Sequence, residues 1–203
     1  MKSPLTTSLR KQTPINKKAI PYMTANKSNF TYMKKLLLIT LFLTSLNIFS
    51  QEDYMESSLV KLNQQVPEFA FTNKDGKSIK LSDYKGKVIL INFFATWCGP
   101  CMKEMPFIQK DLWEKLKNND KFIILSFGRD HSQEEVNKFI ETKKFTFPIF
   151  ADKGKSIYNL FATKYIPRNY LIDSNGTVIY ASTGFTIDDF AKLVNQIDVL
   201  LKN

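Results

Sequence analysis

The stretch NFFATWCGPCMKEMP, residues 92–106, carries both cysteines of this 203-residue chain. Cys98 and Cys101 enclose Gly99 and Pro100, so only two residues separate the thiols. A pair at this spacing has three ordinary uses in proteins: a redox couple, half of a metal site, or a permanent crosslink. The residues on either side of the pair narrow that choice.

An apolar strand and an amphipathic helix flank the pair. Residues 88–94, VILINFF, form a continuous apolar run of strand length, which is typical of a central strand buried on both faces. Pro100 falls in the first turn of the next segment, where its missing N–H is not needed. A helix is predicted there, with a kink at Pro106, because apolar residues recur every three or four positions: Met102, Met105, Ile108, Leu112 and Leu116.

The spacing and placement of the pair favour redox chemistry. A structural zinc site needs four ligands, whereas the chain has two cysteines and one histidine, His131, which is distant in sequence. A crosslink across two residues removes almost no entropy from the unfolded chain. At a helix N-terminus, unpaired N–H groups and the helix dipole favour Cys98 as a thiolate. We therefore expect Cys98 to attack a disulfide, and Cys101, one turn later and more buried, to resolve the mixed disulfide.

The positive charge of the chain is concentrated at its N-terminus. The formal net charge is +10, but residues 1–35 contain eight lysine and arginine residues and no acid, which leaves +2 for residues 36–203. No basic stripe interleaved with aromatic residues follows, so nucleic-acid binding is not expected. The hydrophobic fraction of 43% is sufficient for the core of one globular domain.

The apolar run near the N-terminus predicts a signal peptide over 33–50. Met33-Lys34-Lys35 precedes LLLITLFLTSLNIF, 14 residues at 36–49, and the small residue Ser50 follows. The run is shorter than the about 20 residues that span a bilayer, and its order of basic, apolar and small residues is that of a secretory signal.

Residues 1–32 fit poorly in front of such a signal. They are polar, contain three prolines and show no amphipathic period. We interpret them as a non-translated or disordered extension, with translation starting at Met33; an organelle transit peptide is the alternative. The mature chain would begin at Gln51, with a flexible arm over 51–64 and the folded domain over 65–203.

The rest of the chain alternates strand and helix patterns. Two hairpins are predicted around Asp75-Gly76 and Asn175-Gly176, which are turn-forming pairs between apolar segments. Ser132 and Glu135 form a capping box at the start of a helix. The further predicted elements are a buried strand at 122–127, a short strand at 147–150, a short helix near 157–161 and a closing amphipathic helix from Ile187 to Leu201. This order predicts an α/β fold with a central mixed sheet flanked by helices.

Taken together, the strand–WCGPC–helix unit and the later Ile166-Pro167 before a hairpin and a last helix resemble the thioredoxin fold. The exported TlpA/ResA-like branch of thiol–disulfide oxidoreductases is the more similar group. That branch has an extra N-terminal β-hairpin, here 69–81, and an inserted strand–helix unit, here about 132–163. The resemblance covers nearly all of residues 65–203. It implies a thiol–disulfide oxidoreductase that needs no cofactor and no metal.

The resemblance also implies roles for residues outside the pair. A cis peptide bond is implied at Ile166-Pro167, packed against the cysteines, with the main chain of Ile166 pairing with an extended substrate. Asn92 stands where cytosolic thioredoxins have a buried aspartate. The family gives proton transfer at the second cysteine to a glutamate, here Glu104; a surface acid is the alternative. Trp97 is expected to shape the rim of the site.

Two further residues keep open alternatives. Arg168 departs from the small polar residue common after this proline in the family. Its side chain is expected to be solvated, or else to favour the thiolate or dock an acidic substrate. His131 is expected to be a loop residue.

The function predicted from these residues is reduction of protein disulfides outside the cytosol, in the periplasm or cell envelope, with a membrane tether if the signal is retained. Expected partners are disulfide-containing envelope proteins, among them apocytochromes c, and a membrane thiol electron donor; the protein is expected to be a monomer. A thiol peroxidase is one alternative, although Ala95 stands where that class needs threonine. A copper chaperone is the other, although the CxxC spacing and His131 do not match its CxxxC-plus-histidine pattern.

Overall fold

The computed structural model describes residues 32–39 and 56–202. Residues 32–39, which include the start of the predicted signal peptide, form an exposed helix. The remainder of that signal, residues 1–31 of the predicted extension and the first residues of the predicted arm lie outside the described residues. Within the described ranges, no helix combines the length and the apolar character needed to cross a membrane.

A five-stranded mixed sheet forms the centre of the domain. Its order is β5-β4-β3-β6-β7, in which β3, β4 and β5 are parallel while β6 and β7 run antiparallel to their neighbours. All seven residues of β3 are buried, as its apolar run predicts. The bounds are β3 Val88–Phe94, β4 Phe122–Arg129, β5 Ile149–Asp152, β6 Arg168–Ile172 and β7 Val178–Thr183.

Four helices cover the two faces of the sheet and confirm the predicted alternation of elements. The site-bearing helix α1, Gly99–Phe107, continues as a π-helical segment, Ile108–Trp113, and a last turn, Glu114–Leu116. The other helices are α2 Gln133–Lys143, α3 Tyr158–Phe161 and α4 Ile187–Lys202. Short 3₁₀ turns occupy Leu81–Tyr84 and Lys153–Lys155.

The irregularity expected at Pro106 takes the form of a change in hydrogen bonding. Pro106 lies inside α1, and the N–H of Ile108 is shared between the carbonyls of Glu104 and Met105. Proline supplies no N–H to the helical ladder, so the bonding pattern around it must rearrange. The π-helical segment begins at Ile108.

The predicted N-terminal hairpin is a separate two-stranded sheet. Strands β1, Ala70–Thr72, and β2, Ser78–Lys80, pair antiparallel. In the turn, the Asn73 side chain accepts hydrogen bonds from the N–H groups of Asp75 and Lys77. Phe71 anchors the hairpin to the sheet, with its ring 5.3 Å from that of Phe127 in an edge-to-face contact.

The segment from Ser57 to Val66 is hydrogen-bonded to the domain, unlike the loose arm that its polar composition predicts. The N–H of Leu59 donates to the carbonyl of Phe161. The N–H groups of Asn63 and Val66 donate to carbonyls at the start of β7 and in the turn before it. Val60 is 6% exposed and belongs to the core. The main chain supplies these contacts, which is why side-chain composition does not reveal them.

Candidate active site

The two cysteines lie at the N-terminus of α1, as predicted, and are joined as a disulfide with their Cα atoms 5.3 Å apart. Cys98 is the N-cap residue, and its Sγ accepts a hydrogen bond from the N–H of Cys101 at 3.2 Å. Cys98 is 6% exposed, whereas Cys101 is fully buried. The helix terminus therefore directs an N–H group at the outer sulfur, an arrangement that stabilises a thiolate there.

A loop from the other side of the sheet approaches Cys98. The Ile166-Pro167 peptide bond is cis, and the Ile166 carbonyl oxygen lies 3.7 Å from Cys98 Sγ. The Pro167 carbonyl accepts from the N–H of Gly184 at 2.8 Å, which ties the loop to the end of β7. The structure thus brings Ile166 next to Cys98, from which it is 68 residues distant in sequence.

The residues around Cys98 form an open rim. Trp97 is 70% exposed, and Gly99 and Pro100 are exposed in the first turn of α1. Ile166 is partly buried opposite them. An apolar surface of this kind, with one sulfur at its centre, can receive a polypeptide segment.

Glu104 faces the protein interior behind the cysteines and is not a surface acid. It is 1% exposed. Asn92 Nδ2 donates to its Oε2 at 3.1 Å, and Asn169 Nδ2 donates to its Oε1 at 2.6 Å. Ser126 Oγ in turn donates to Asn92 Oδ1 at 2.7 Å. These four residues form one hydrogen-bonded group between α1 and the three central strands of the sheet.

Burial dominates the ionisation of Glu104. Removal from water raises its pKa from 4.5 to about 7, against the two asparagine hydrogen bonds, which lower it. Desolvation disfavours the charged form, and neutral amide donors compensate for only part of that cost. A carboxyl group that titrates near neutral pH can both accept and return a proton, and Glu104 lies one helical turn after Cys101.

Sequence reasoning missed Asn169 and Ser126. Strand register explains their position, because Asn92 pairs with Ser126 on β4 and with Asn169 on β6. A signal was present for Ser126, a polar residue inside the apolar run of β4, whereas Asn169 follows Arg168 at the start of β6. Without the strand order, however, nothing indicates that the three polar positions are side by side.

His131 is a loop residue, as predicted, but it is not remote from the cysteines. It is 5% exposed, and its Nε2 accepts a hydrogen bond from the N–H of Thr96 at 2.9 Å. An accepting Nε2 requires the neutral ring with its proton on Nδ1. The imidazole thereby holds the segment immediately before Trp97 and Cys98.

The expectations that the Arg168 side chain is solvated or docks a substrate are wrong. The side chain is 2% exposed, so it is neither solvated nor available to a substrate. Its Nε donates to the carbonyl of Lys164 at 3.0 Å, and its Nη1 donates to the Tyr170 hydroxyl at 3.3 Å. The residue after the cis-proline is the first of β6, and the guanidinium is directed into the layer of the core that lies beneath the hairpin and α3.

Two observations bear on the alternative functions, a thiol peroxidase and a copper chaperone. Ala95, where a peroxidase would carry threonine, is fully buried, and its carbonyl accepts from the N–H of Cys98. Among residues 32–39 and 56–202, no three His, Cys, Asp or Glu side chains are grouped as a metal site would require.

Comparison with known proteins agrees with this geometry. The Redoxin family model matches residues 61–197. The chain is 36% identical over 136 residues to the thiol-disulfide oxidoreductase ResA of Bacillus cereus, covering 67% of this chain and 75% of that protein. It is 32% identical to the thioredoxin-like protein YneN of Bacillus subtilis over 144 residues, covering 70% of this chain and 83% of the relative.

Two solved structures share the fold at appreciable sequence identity. One is a solution structure from Bacteroides thetaiotaomicron, provisionally named a protein disulfide isomerase, with a TM-score of 0.69, 38% identity and coverage of 72% of this chain and 94% of the other. The other is a crystal structure from Chlorobium tepidum, provisionally named the thiol:disulfide interchange protein DsbE, with a TM-score of 0.61, 30% identity and coverage of 70% and 99%. The chain therefore belongs to the Redoxin family, as a ResA-like thiol–disulfide oxidoreductase of thioredoxin-like fold whose Cys98–Cys101 pair fits a CxxC redox centre.

Proposed function

We propose that this oxidoreductase is exported and reduces disulfides of other proteins, with Cys98 as the nucleophile. The observation that carries the assignment is the difference between the two sulfurs. Cys98 is 6% exposed and receives the N–H of Cys101 at 3.2 Å, whereas Cys101 is fully buried. A substrate disulfide can reach the first sulfur and not the second.

The reaction proceeds in two exchanges. The Cys98 thiolate attacks one sulfur of the substrate disulfide, which forms a mixed disulfide and releases the other substrate sulfur as a thiolate. Cys101 then loses its proton and attacks Cys98 Sγ, which restores the Cys98–Cys101 disulfide and releases the second substrate thiol. Two electrons pass from the dithiol to the substrate.

Glu104 accepts the proton of Cys101 during the second exchange. Asn92 cannot take this part, because an amide does not titrate at neutral pH. Glu104 is buried within one turn after Cys101, and its pKa of about 7 suits transfer in either direction.

The rim around Cys98 binds the substrate chain. Trp97 forms its exposed apolar side, Pro167 is buried beside Ile166, and the main chain of Ile166 pairs with an extended segment of the substrate. The 3.7 Å between the Ile166 carbonyl oxygen and Cys98 Sγ supports this placement, since a segment paired there would present its disulfide to the nucleophile.

The reducing direction follows from the residues between the cysteines. Gly99-Pro100 is the dipeptide of thioredoxin, whose potential is about −270 mV and therefore strongly reducing. An exported reductase needs electrons from a membrane thiol donor, because the space outside the cytosol is oxidising. Envelope proteins with unwanted disulfides, including the haem-binding thiols of apocytochromes c, are the substrate class we propose.

A mixed-disulfide trap in the native host tests the proposal. The Cys101→Ser protein should accumulate mixed disulfides with envelope proteins, because resolution is blocked, and the Cys98→Ser protein should accumulate none. The exported chain should begin near Gln51. Equal trapping by the two variants would contradict the nucleophile assignment, and full-length protein retained in the cytosol would contradict export.

A further inference from the structure

The side chain of Arg168 lies directly behind the loop that carries Ile166 and Pro167. Its Nε donates to the main-chain carbonyls of Lys164 at 3.0 Å and Tyr165 at 3.3 Å. These are the two residues immediately before Ile166. A guanidinium is planar and rigid, and Arg168 itself belongs to β6, so both carbonyls are held at a fixed place relative to the central sheet.

Tyr158 holds the same loop from a second direction. Its hydroxyl donates to the Tyr165 carbonyl at 2.8 Å. The ring is fully buried and lies beneath the Arg129 guanidinium, 4.5 Å from the ring centroid. Burial raises the pKa of the Tyr158 hydroxyl above 10.0, so the group remains a donor at neutral pH. We refer to Arg168 and Tyr158 together as the carbonyl clamp.

The backbone of Tyr165 shows why such a clamp is needed. Its φ of 66° lies in the left-handed region, which is unfavourable for a bulky side chain. The side chain is 40% exposed, and the carbonyl of the residue accepts hydrogen bonds from Arg168 and Tyr158. If Tyr165 relaxed to an ordinary conformation, the following peptide group, that of Ile166, would turn away from Cys98.

The segment from Ser57 to Val66 covers the far side of the Arg168 guanidinium. Arg168 Nη2 donates to Ser57 Oγ, and the Ser57 carbonyl accepts from the N–H of Thr163 at 2.9 Å. Ser58 forms a β-bridge with Ala162. The segment thus covers Arg168 and excludes water from its hydrogen bonds, which strengthens them.

We propose that the carbonyl clamp positions the main chain of Ile166 opposite Cys98 and thereby sets the rate of reaction with polypeptide disulfides, without touching the substrate itself. The inference rests on the proposed function, in which Ile166 pairs with an extended substrate segment. A small aromatic disulfide has no peptide groups to pair with Ile166. Its reaction with Cys98 therefore does not depend on the clamp.

The test compares two substrates on the reduced full-length protein. The variants are Arg168→Met, which removes all the guanidinium donors, and Tyr158→Phe, which removes one hydroxyl and keeps the ring. We expect each to lower the second-order rate constant for an extended peptide disulfide by about tenfold, the equivalent of one to two net hydrogen bonds. The rate constant for 5,5′-dithiobis(2-nitrobenzoic acid) should stay at the wild-type value.

Val88→Ala is the matched control for a simple loss of stability. Val88 is buried at the start of β3, the end of the strand opposite to the site, and its variant should leave the ratio of the two rate constants unchanged. Equal effects on both substrates, or no effect on either, would overturn the inference. If Arg168→Met does not fold, Tyr158→Phe decides alone. Failure of the wild-type protein to reduce the peptide would instead overturn the proposed function, and the inference with it.

Discussion

Two opposing effects act on the pKa of the Glu104 carboxyl group. Burial among apolar residues would keep the group protonated, while Asn92 and Asn169 each donate to one of its oxygens and stabilise the charged form. The outcome is a pKa of about 7. The group therefore exists in both protonation states under the conditions in which the protein would work.

Replacement of Glu104 by glutamine should change how the site thiols ionise. A carboxylate near a thiol opposes formation of a second negative charge, so its removal favours the thiolate. We expect the alkylation rate of reduced Glu104→Gln protein to rise at lower pH than that of the wild type, and its mixed disulfides to resolve more slowly. Superimposable profiles of alkylation rate against pH would show that Glu104 does not interact with the thiols.

Among individual residues, the sequence predicted those of the WCGPC motif better than the residues that surround them in the structure. Cys98 and Cys101 follow from their spacing along one helix, and Glu104 from the family resemblance. Asn169 and Ser126 could not be found in that way, because only the register of three neighbouring strands brings them to Asn92. The burial of Arg168 escaped prediction for a similar reason, since its acceptors are carbonyls of a loop whose path is set by tertiary contacts.

At the level of secondary-structure elements, the parallel pairing of β3 with β4 determines which loop supports the segment that leads to Cys98. The carboxyl ends of adjacent parallel strands lie at the same edge of a sheet. The loop after β4, with His131, therefore adjoins the loop after β3, with Thr96, and the two are joined by the Thr96 N–H to His131 Nε2 hydrogen bond. A Cβ atom at position 128 would approach the His131 side chain to 3.0 Å, so the imidazole packs closely over Gly128.

Two substitutions of His131 separate this hydrogen bond from simple packing. Phenylalanine fills the space but cannot accept from Thr96, whereas glutamine can. Loss of one such bond costs about 1 kcal/mol, so amide exchange at Thr96 should be faster by several-fold in His131→Phe and close to the wild type in His131→Gln. Measurement of exchange by NMR checks this, and equal protection in the Phe variant would assign the order of the loop to packing alone.

The order of the elements was predictable because each strand and helix has its own pattern. The apolar runs at β3 and β4, the turn pairs at Asp75-Gly76 and Asn175-Gly176 and the capping box at Ser132 all appear in the structure. The short strand predicted at 147–150 is β5, which lies two residues later at Ile149–Asp152. The packing of residues 57–66 and the π-helical segment of α1 depend on main-chain hydrogen bonds, for which side-chain periodicity gives no signal.

Across the whole molecule, the sheet separates two apolar layers, and the Glu104 group lies on the face of the sheet that α1 covers. One layer contains both cysteines and core residues of α1, α2 and α4, and the other contains the hairpin and α3. A titratable carboxyl in such a position couples global stability to pH. The folded protein binds the proton of Glu104 more tightly than the unfolded chain does, because unfolding returns the group to water.

The stability of the oxidised protein should therefore fall as pH rises from about 5 to about 8. The pKa of Glu104 is raised from 4.5 to about 7 in the folded state. Below pH 4.5 the Glu104 carboxyl group is protonated in both the folded and the unfolded protein, so its burial costs no stability. Between pH 4.5 and about 7 the unfolded chain binds fewer protons than the folded protein, so the free energy of unfolding decreases. Above about pH 7 this decrease is complete. A shift of this size corresponds to a loss on the order of 3 kcal/mol.

Urea unfolding of wild-type and Glu104→Gln proteins at pH 5 and pH 8 measures this dependence. The disulfide keeps the two thiols from titrating, and the groups other than Glu104 are the same in both proteins. The difference in unfolding free energy between the two pH values should be more negative in the wild type than in the variant by on the order of 3 kcal/mol. A His131→Gln protein should retain the Glu104 contribution and serves as the control. Parallel stability curves for the wild type and Glu104→Gln would mean that Glu104 is ionised, or compensated by its asparagine partners, throughout this range.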